Sequence, residues 1–155
     1  MLGWIKAWNT IIRKVIFPDY ELKKLMKIPA KTKITDFCQQ YFIKAGYTNE
    51  LLSNQVCRIV YGDTVGKDTD VPNVRKNLLT FDIYVKTKNL YDVDEDDMLI
   101  SRLQLIAARL KYLLTQERYL AGTGYRFWIA GDWDLGTRTI GYSRYTIAFY
   151  YMKVY

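Results

Sequence analysis

Carboxylates are the side chains of this chain best suited to chemistry, because they can bind a metal ion or exchange a proton. They form three groups along the sequence: Asp63, Asp68 and Asp70; the acidic run over residues 92–97; and Asp132 with Asp134. The spacing of the first group differs from that of a calcium-binding loop, which ends in a bidentate Glu. A glycosidase needs two carboxylates across a cleft, whereas Asp132 and Asp134 occupy neighbouring outward positions of a predicted hairpin. We therefore predict no metal site and no hydrolytic site.

Nucleophilic catalysis has no base to draw on in this chain. Its 155 residues contain no histidine, which removes the usual general base at neutral pH and the commonest metal ligand. Cys38 and Cys57 are not spaced as metal ligands, and each lies in an apolar segment. We predict two buried thiols; a disulfide is the less favoured alternative, because a chain of this length buries a core without a crosslink. The composition indicates a protein that is not an enzyme and carries no cofactor.

The acidic run has a structural interpretation, because negative charge in the first turn of a helix complements the helix dipole. Asp94 is a good N-cap, and apolar residues recur at helical spacing after it. The pattern predicts one long helix from about Glu95 to Arg118. One apolar side of this helix, from Leu99 to Leu114, is wide enough to cover a sheet.

A second apolar stripe on the predicted helix recurs at seven-residue intervals. Its members are Met98, Leu105, Tyr112 and Tyr119. A helix that is apolar on two sides is buried on two sides. We therefore predict that this stripe is a subunit interface, with packing against the N-terminal helices as the alternative.

Strand patterns flank the predicted helix. Residues 79–85 alternate apolar and polar side chains, which is the period of a half-buried strand. Two aromatic-rich strands follow the helix; turn-forming residues interrupt the first at 131–136, and the second spans 142–155. The predicted fold class is α+β: a small, mostly antiparallel sheet of about four strands, backed by one long helix, with extra N-terminal helices.

The longest polar segment, residues 62–77, lies between two predicted strands that can pair as a hairpin. Connections of this length inside a compact domain are functional or disordered. We interpret the segment as a projecting arm that contacts an adjacent subunit or another component of an assembly. The charged residues available for such contacts are Lys67, Asp68, Asp70, Arg75 and Lys76.

The N-terminus carries an amphipathic pattern. Trp4, Trp8, Ile11 and Ile12 share one face of a predicted helix that stops before Pro18. This face could dock on a partner, pack on its own domain or lie on a membrane surface. All three alternatives remain open from the pattern, and docking is our site prediction. Removal of residues 1–17 is then expected to leave a folded protein that no longer joins its partner.

The domain organisation is predicted to be simple. Helices are expected near residues 19–26 and from Thr35 to Gly46, so residues 1–47 form a helical extension of an α+β domain at 48–155. No segment reaches the roughly 20 apolar residues of a membrane span, and the N-terminus lacks the pattern of a secretory signal. We expect no membrane partner.

Charge is segregated along the chain. Residues 1–47 carry a net charge of +6, residues 48–100 a net charge of −4 and residues 101–155 a net charge of +5. Such segregation favours charge-matched contacts between neighbours. A loose basic stretch also leaves a nucleic-acid-binding module as an alternative function, because phosphates are bound by such side chains. That stretch consists of Lys23, Lys24, Lys27, Lys31 and Lys33.

Three segments carry a resemblance to a known family. They are the strand Leu79–Lys86, the helical run Leu103–Leu114 and the aromatic ending Gly141–Tyr151. With the order strand, long loop, strand, helix, strand, strand, roughly residues 50–155 resemble the tail-terminator and head–tail joining proteins of long-tailed bacteriophages. The N-terminal helices look like an addition to that fold.

The resemblance implies a structural protein of the virion, made in the host cytoplasm and located in the neck or tail. Its partners would be further copies of itself in a ring, commonly a hexamer, together with the tail-tube protein and neck or connector proteins. Genomic DNA would pass through the ring without sequence-specific binding. The arm at 62–77 would reach a neighbour or the tail tube, and the N-terminal tryptophans would dock on a neck protein. An adaptor or stopper of the head–tail connector is the alternative within this class.

Overall fold

The computed structural model of the chain describes residues 2–47, 55–68, 75–93, 96–116, 120–139 and 141–153. The helices are α1 (Leu2–Ile11), α2 (Tyr20–Leu25), α3 (Ile34–Asp36) and α4 (Arg102–Thr115). The strands are β1 (Phe42–Lys44), β2 (Cys57–Asp68), β3 (Arg75–Lys86), β4 (Tyr91–Val93), β5 (Leu99–Ser101), β6 (Tyr125–Thr139) and β7 (Tyr142–Lys153). One π-helical segment, Ile12–Ile16, continues α1, and another, Phe37–Tyr41, continues α3.

Five strands form the main sheet in the order β1-β2-β3-β7-β6, and β4 and β5 form a separate two-stranded ribbon. β1 runs parallel to β2, whereas the other neighbouring strands of the main sheet are antiparallel. The predicted fold class is confirmed: the chain is α+β, with a mostly antiparallel sheet and one long helix, α4.

The core lies on one face of the main sheet, where α1 and α4 pack. The alternation in β3 is as predicted, because Leu79, Phe81, Ile83 and Val85 are buried while the residues between them are partly exposed. The same hydrophobic cluster takes side chains from α1 and from the apolar side of α4. The segment 1–47 and the rest of the chain therefore share one core.

The long helix begins later than predicted. α4 starts at Arg102, and the side chain of Ser101 accepts a hydrogen bond from the backbone N–H of Gln104, which makes Ser101 the N-cap. Residues that were expected to form the first turns instead pair as strands, with Leu99 opposite Val93 in the β4–β5 ribbon. The prediction of Asp94 as the cap of this helix is therefore wrong. Backbone pairing took precedence over helical periodicity in this short stretch.

Two further boundaries differ from prediction. The helix expected to run to Gly46 ends at Tyr41, because Phe42 enters β1 and pairs opposite Ile59 in β2. The turn expected over 131–136 is strand instead, since β6 continues to Thr139. Register irregularities between Ile129 and Gly131 and beyond Asp134 absorb the turn-forming residues without ending the strand.

Candidate functional site

The predicted docking face of the N-terminal helix lies inside the protein. Trp4 and Trp8 are each 6% exposed, Ile11 is fully buried and Ile12 is 5% exposed. The helix therefore turns its aromatic face onto its own sheet, as the packing alternative required. The assignment of these four side chains to partner docking is corrected, because in this conformation they offer almost no surface to a partner.

Aromatic stacking explains why this face is retained by the core. The ring of Trp4 stacks on Tyr151 with centroids 3.9 Å apart, and its Nε1 donates a hydrogen bond of 2.8 Å to Asp63 Oδ2. Trp8 stacks on Trp4 at 5.6 Å and meets the edge of Tyr61 at 5.5 Å. Burial of two indoles supplies several kcal/mol, roughly 3–5 kcal/mol for each large aromatic side chain.

Exposed apolar side chains concentrate instead on and beside α4. We call this set the α4 surface, and its members with their exposed fractions are Tyr91 (60%), Met98 (63%), Leu99 (70%), Leu105 (37%) and Tyr112 (53%). It contains three of the four residues of the predicted interface stripe, and the fourth, Tyr119, lies outside the described residues. Leu99 was expected on the buried side of the helix; its place in the β4–β5 ribbon turns it to solvent.

A single arginine holds the ribbon against the helices. Arg102 is 6% exposed, and its guanidinium donates to the carbonyl oxygens of Leu25 at 2.8 Å and Asn89 at 2.9 Å. It also forms an ion pair with Asp92 at 3.2 Å. These contacts join α2, the segment before the ribbon and the first turn of α4. The relative position of Met98 and Leu105 on the α4 surface is therefore set by buried hydrogen bonds.

An ion pair on the same side joins α2 to α4. Asp19 accepts hydrogen bonds from Arg109 at 2.9 and 2.6 Å and from the Leu22 backbone N–H at 2.9 Å, so it also caps α2. Burial of Asp19 raises the pKa of its carboxyl, but the bonds from Arg109 and Leu22 and the nearby positive charge outweigh this, and the net pKa lies below its ordinary value. Arg109 in turn lies 4.9 Å from the ring of Tyr112.

A shallow cleft opens beside this ion pair. It has a volume of about 540 Å³ and lies between the end of the N-terminal helix and α4. Lys14, Pro18, Tyr112 and Gln116 contribute to its walls. Its charged groups include the neutralising Asp19–Arg109 pair, so the cleft extends the α4 surface rather than forming a catalytic site.

The predicted arm is a β-hairpin whose strands are longer than expected. β2 and β3 remain paired out to Lys67 opposite Lys76 and Asp68 opposite Arg75. β7 stops pairing with β3 at Asn77, so the outer rows of the hairpin project beyond that neighbouring strand. Asp70 lies outside the described residues, and the role of this arm in partner contacts stays a prediction.

The carboxylates described here serve structural contacts. Asp63 binds Trp4, and Asp132 forms an ion pair with Lys111 of α4, which lowers the pKa of that carboxyl. Among the described residues, no group of three or more Cys, Asp or Glu side chains is arranged to hold a metal ion. Cys38 and Cys57 are both free thiols, and Cys57 is fully buried.

The basic stretch is largely on the surface. Lys24, Lys27, Lys31 and Lys33 are exposed, whereas Lys23 lies over the ring of Phe17 at 3.8 Å. Within the described parts of the chain, no helix is both long and apolar enough to cross a membrane.

Several structural contacts had no signal in the sequence. The partners Trp4 and Asp63 are 59 positions apart, and Asp19 and Arg109 are 90 positions apart. Arg102 could be suspected only as a cation within an otherwise apolar helical stretch.

Comparison with known proteins adds no assignment. No protein-family model matches the chain, and no curated protein sequence matches it.

Proposed function

We propose that this protein is a structural subunit of the neck or tail of a long-tailed bacteriophage. Copies of it form a ring, hexameric in the family it resembles, that terminates the tail tube and joins it to the head connector. Genomic DNA passes through the ring without sequence-specific contacts. The element order β2, β3, α4, β6, β7 supports the resemblance at the level of architecture. An adaptor or stopper ring of the same connector is the nearest variant of this proposal.

The observation that carries the proposal is the α4 surface. Five large hydrophobic side chains between Tyr91 and Tyr112 are at least 37% exposed. Contiguous apolar patches are uncommon on monomers and mark protein–protein contacts. The arginine and ion-pair contacts behind this surface give it a defined shape, which a repeated subunit contact requires.

Oligomer formation is the first test. The purified protein is expected to give a multiple of 18.3 kDa, and a multiple near six supports the ring. Replacement of Leu105 and Tyr112 by Glu should shift the mass to the monomer while leaving the circular dichroism spectrum unchanged. Tyr47→Glu is the matched control, because Tyr47 is 61% exposed in the turn after β1, outside the α4 surface. Retention of the oligomer in the double variant removes the α4 surface from the interface.

Phage assembly is the second test. Inactivation of the gene in its source genome should yield DNA-filled heads and separate tails in electron micrographs. Addition of the purified protein to such an extract should restore complete particles. Normal virions from the inactivated genome would refute a role in joining heads to tails.

A further inference from the structure

The β6 edge of the main sheet has the chemistry of a pairing surface. β6 is the last strand of the sheet, and no described strand pairs with its outer edge. Residues 126–130 read Arg-Phe-Trp-Ile-Ala, with one charge, no proline and no glycine. Ile129 is 49% exposed and Ala130 is exposed as well. Natural proteins protect such an edge with charges, prolines or bulges, because its unpaired backbone groups invite another strand.

Protection is present in the far half of β6 and absent from the near half. Register irregularities begin between Ile129 and Gly131 and recur beyond Asp134, and bulges of this kind twist an edge away from pairing. Asp132 is also tied to Lys111 of α4. Residues 126–129, by contrast, pair with β7 in regular register, so their outer edge is straight and available.

The opposite edge of the same sheet carries a matching unpaired stretch. β1 pairs with β2 only from Ile59 to Tyr61, and no described strand continues along residues 63–68 of β2. The three antiparallel pairings from β2 to β6 mean that β6 runs opposite to β2. Rotation about an axis along the strands would therefore bring β6 of one copy antiparallel to β2 of the next.

Charge supports this pairing of edges. The stretch 63–68 contains two Asp and one Lys, a net charge of −1, whereas 126–130 contains one Arg. Two β6 edges placed side by side would instead bring like charges together. A twofold pairing of that kind also closes a dimer, whereas pairing of β6 with β2 uses different edges and repeats around a ring.

We propose that residues 126–130 of β6 pair with residues 63–68 of β2 in a second copy of this chain, so that the sheets of neighbours join edge to edge. This rests on the proposed ring and names the backbone contact within it. The α4 surface then contributes side-chain contacts, and the edges set the head-to-tail direction.

Lysine substitution at the edge tests the contact. Ile129→Lys and Ala130→Lys place a charge on the β6 edge at positions already exposed, so both variants should fold. We expect the apparent dissociation constant of the oligomer to rise roughly tenfold or more in each, because edge lysines oppose strand addition. Tyr47→Lys is the control and should leave the constant unchanged. Unchanged assembly in both edge variants would overturn the inference while leaving the ring itself intact.

Crosslinking tests which edges meet. In a Cys38→Ser background, Arg126→Cys combined with Gly66→Cys and treated with a flexible bismaleimide should give a ladder of dimers, trimers and larger species under denaturing conditions. Neither single variant should crosslink. Dimers from Arg126→Cys alone would show β6 pairing with β6 and overturn the inference. A wild-type protein that stays monomeric at its highest soluble concentration would refute the proposed ring as well.

Discussion

Trp4 donates a hydrogen bond of 2.8 Å from its indole nitrogen to the carboxylate of Asp63, which joins the first turn of α1 to the middle of β2. The same ring stacks on Tyr151 of β7. One side chain near the N-terminus thus connects two strands that are distant in sequence. This relationship changes what the N-terminal helix is expected to do, since its aromatic face is part of the core.

Trp4→Ala should strongly destabilise the fold. It removes a buried ring together with its hydrogen bond, and we expect the free energy of unfolding to fall by about 3–5 kcal/mol. Urea titration followed by circular dichroism would measure this change. Ile5→Ala on the same helix is the control, because Ile5 is 47% exposed and should cost well under half as much. Equal losses in the two variants would contradict the packing of Trp4.

Removal of residues 1–17 is now expected to prevent stable folding. The deleted segment contributes Trp8, Ile11, Ile12 and Ile16 to the core in addition to Trp4. This reverses the expectation from sequence, which was a folded protein lacking one contact. Loss of the cooperative unfolding transition in the truncated protein would support the structure, and a folded, soluble product would contradict it.

Stability should depend on the charge of Asp19. Because the pKa of Asp19 in the folded state lies below the unfolded value of about 3.9, its ion pair stabilises the fold above that pH and the contribution is lost as pH falls through the folded pKa. Asp19→Asn keeps a good N-cap and removes the charge. We expect a loss of about 1–2 kcal/mol near neutral pH that shrinks on acidification below about pH 4. A loss that is independent of pH would exclude the ion pair as its cause.

The two thiols should differ in reactivity. Burial raises the pKa of Cys57 far above its ordinary value, and burial raises the pKa of the half-exposed Cys38 as well. Thiolate is the reactive form, so a disulfide-exchange reagent near neutral pH should modify Cys38 slowly and Cys57 essentially not at all in the native protein. Both should react in denaturant. Rapid modification of Cys57 in the native state would indicate that its strand opens.

The start of α4 can be checked by its cap. Ser101→Ala should lower the free energy of unfolding by about 1 kcal/mol, because the N–H of Gln104 loses its acceptor. Asp94→Ala is the informative companion, since the sequence alone favoured that residue as the cap. We expect its effect to stay within about 0.5 kcal/mol. A larger cost for Asp94→Ala than for Ser101→Ala would place the helix start where the sequence suggested.

Much of the architecture could be predicted because it rests on local periodicity. Alternation in β3 identified its buried face, and helical spacing from Leu103 to Leu114 identified the apolar side of α4. Boundaries were predicted less well. Residues 91–101 combine acidic caps with helical spacing, yet two short strands form there because each supplies the backbone partner of the other.

The candidate site divides in the same way. Seven-residue spacing was sufficient to find Leu105 and Tyr112, since both lie on one continuous helix and are exposed together. It could not include Leu99, whose exposure depends on the ribbon, or recognise that Arg102 fixes that ribbon in place.

The sequence by itself determined the α+β class, the absence of histidine chemistry and which residues are apolar on each face of an element. Tertiary structure decided which apolar face is covered. The face of α1 and the outer face of α4 have similar patterns, but Trp4 finds Tyr151 and Asp63 across the sheet, whereas Tyr112 remains half exposed. The physical reason is that burial depends on contacts between residues far apart in sequence, and periodicity records only the neighbours within one element.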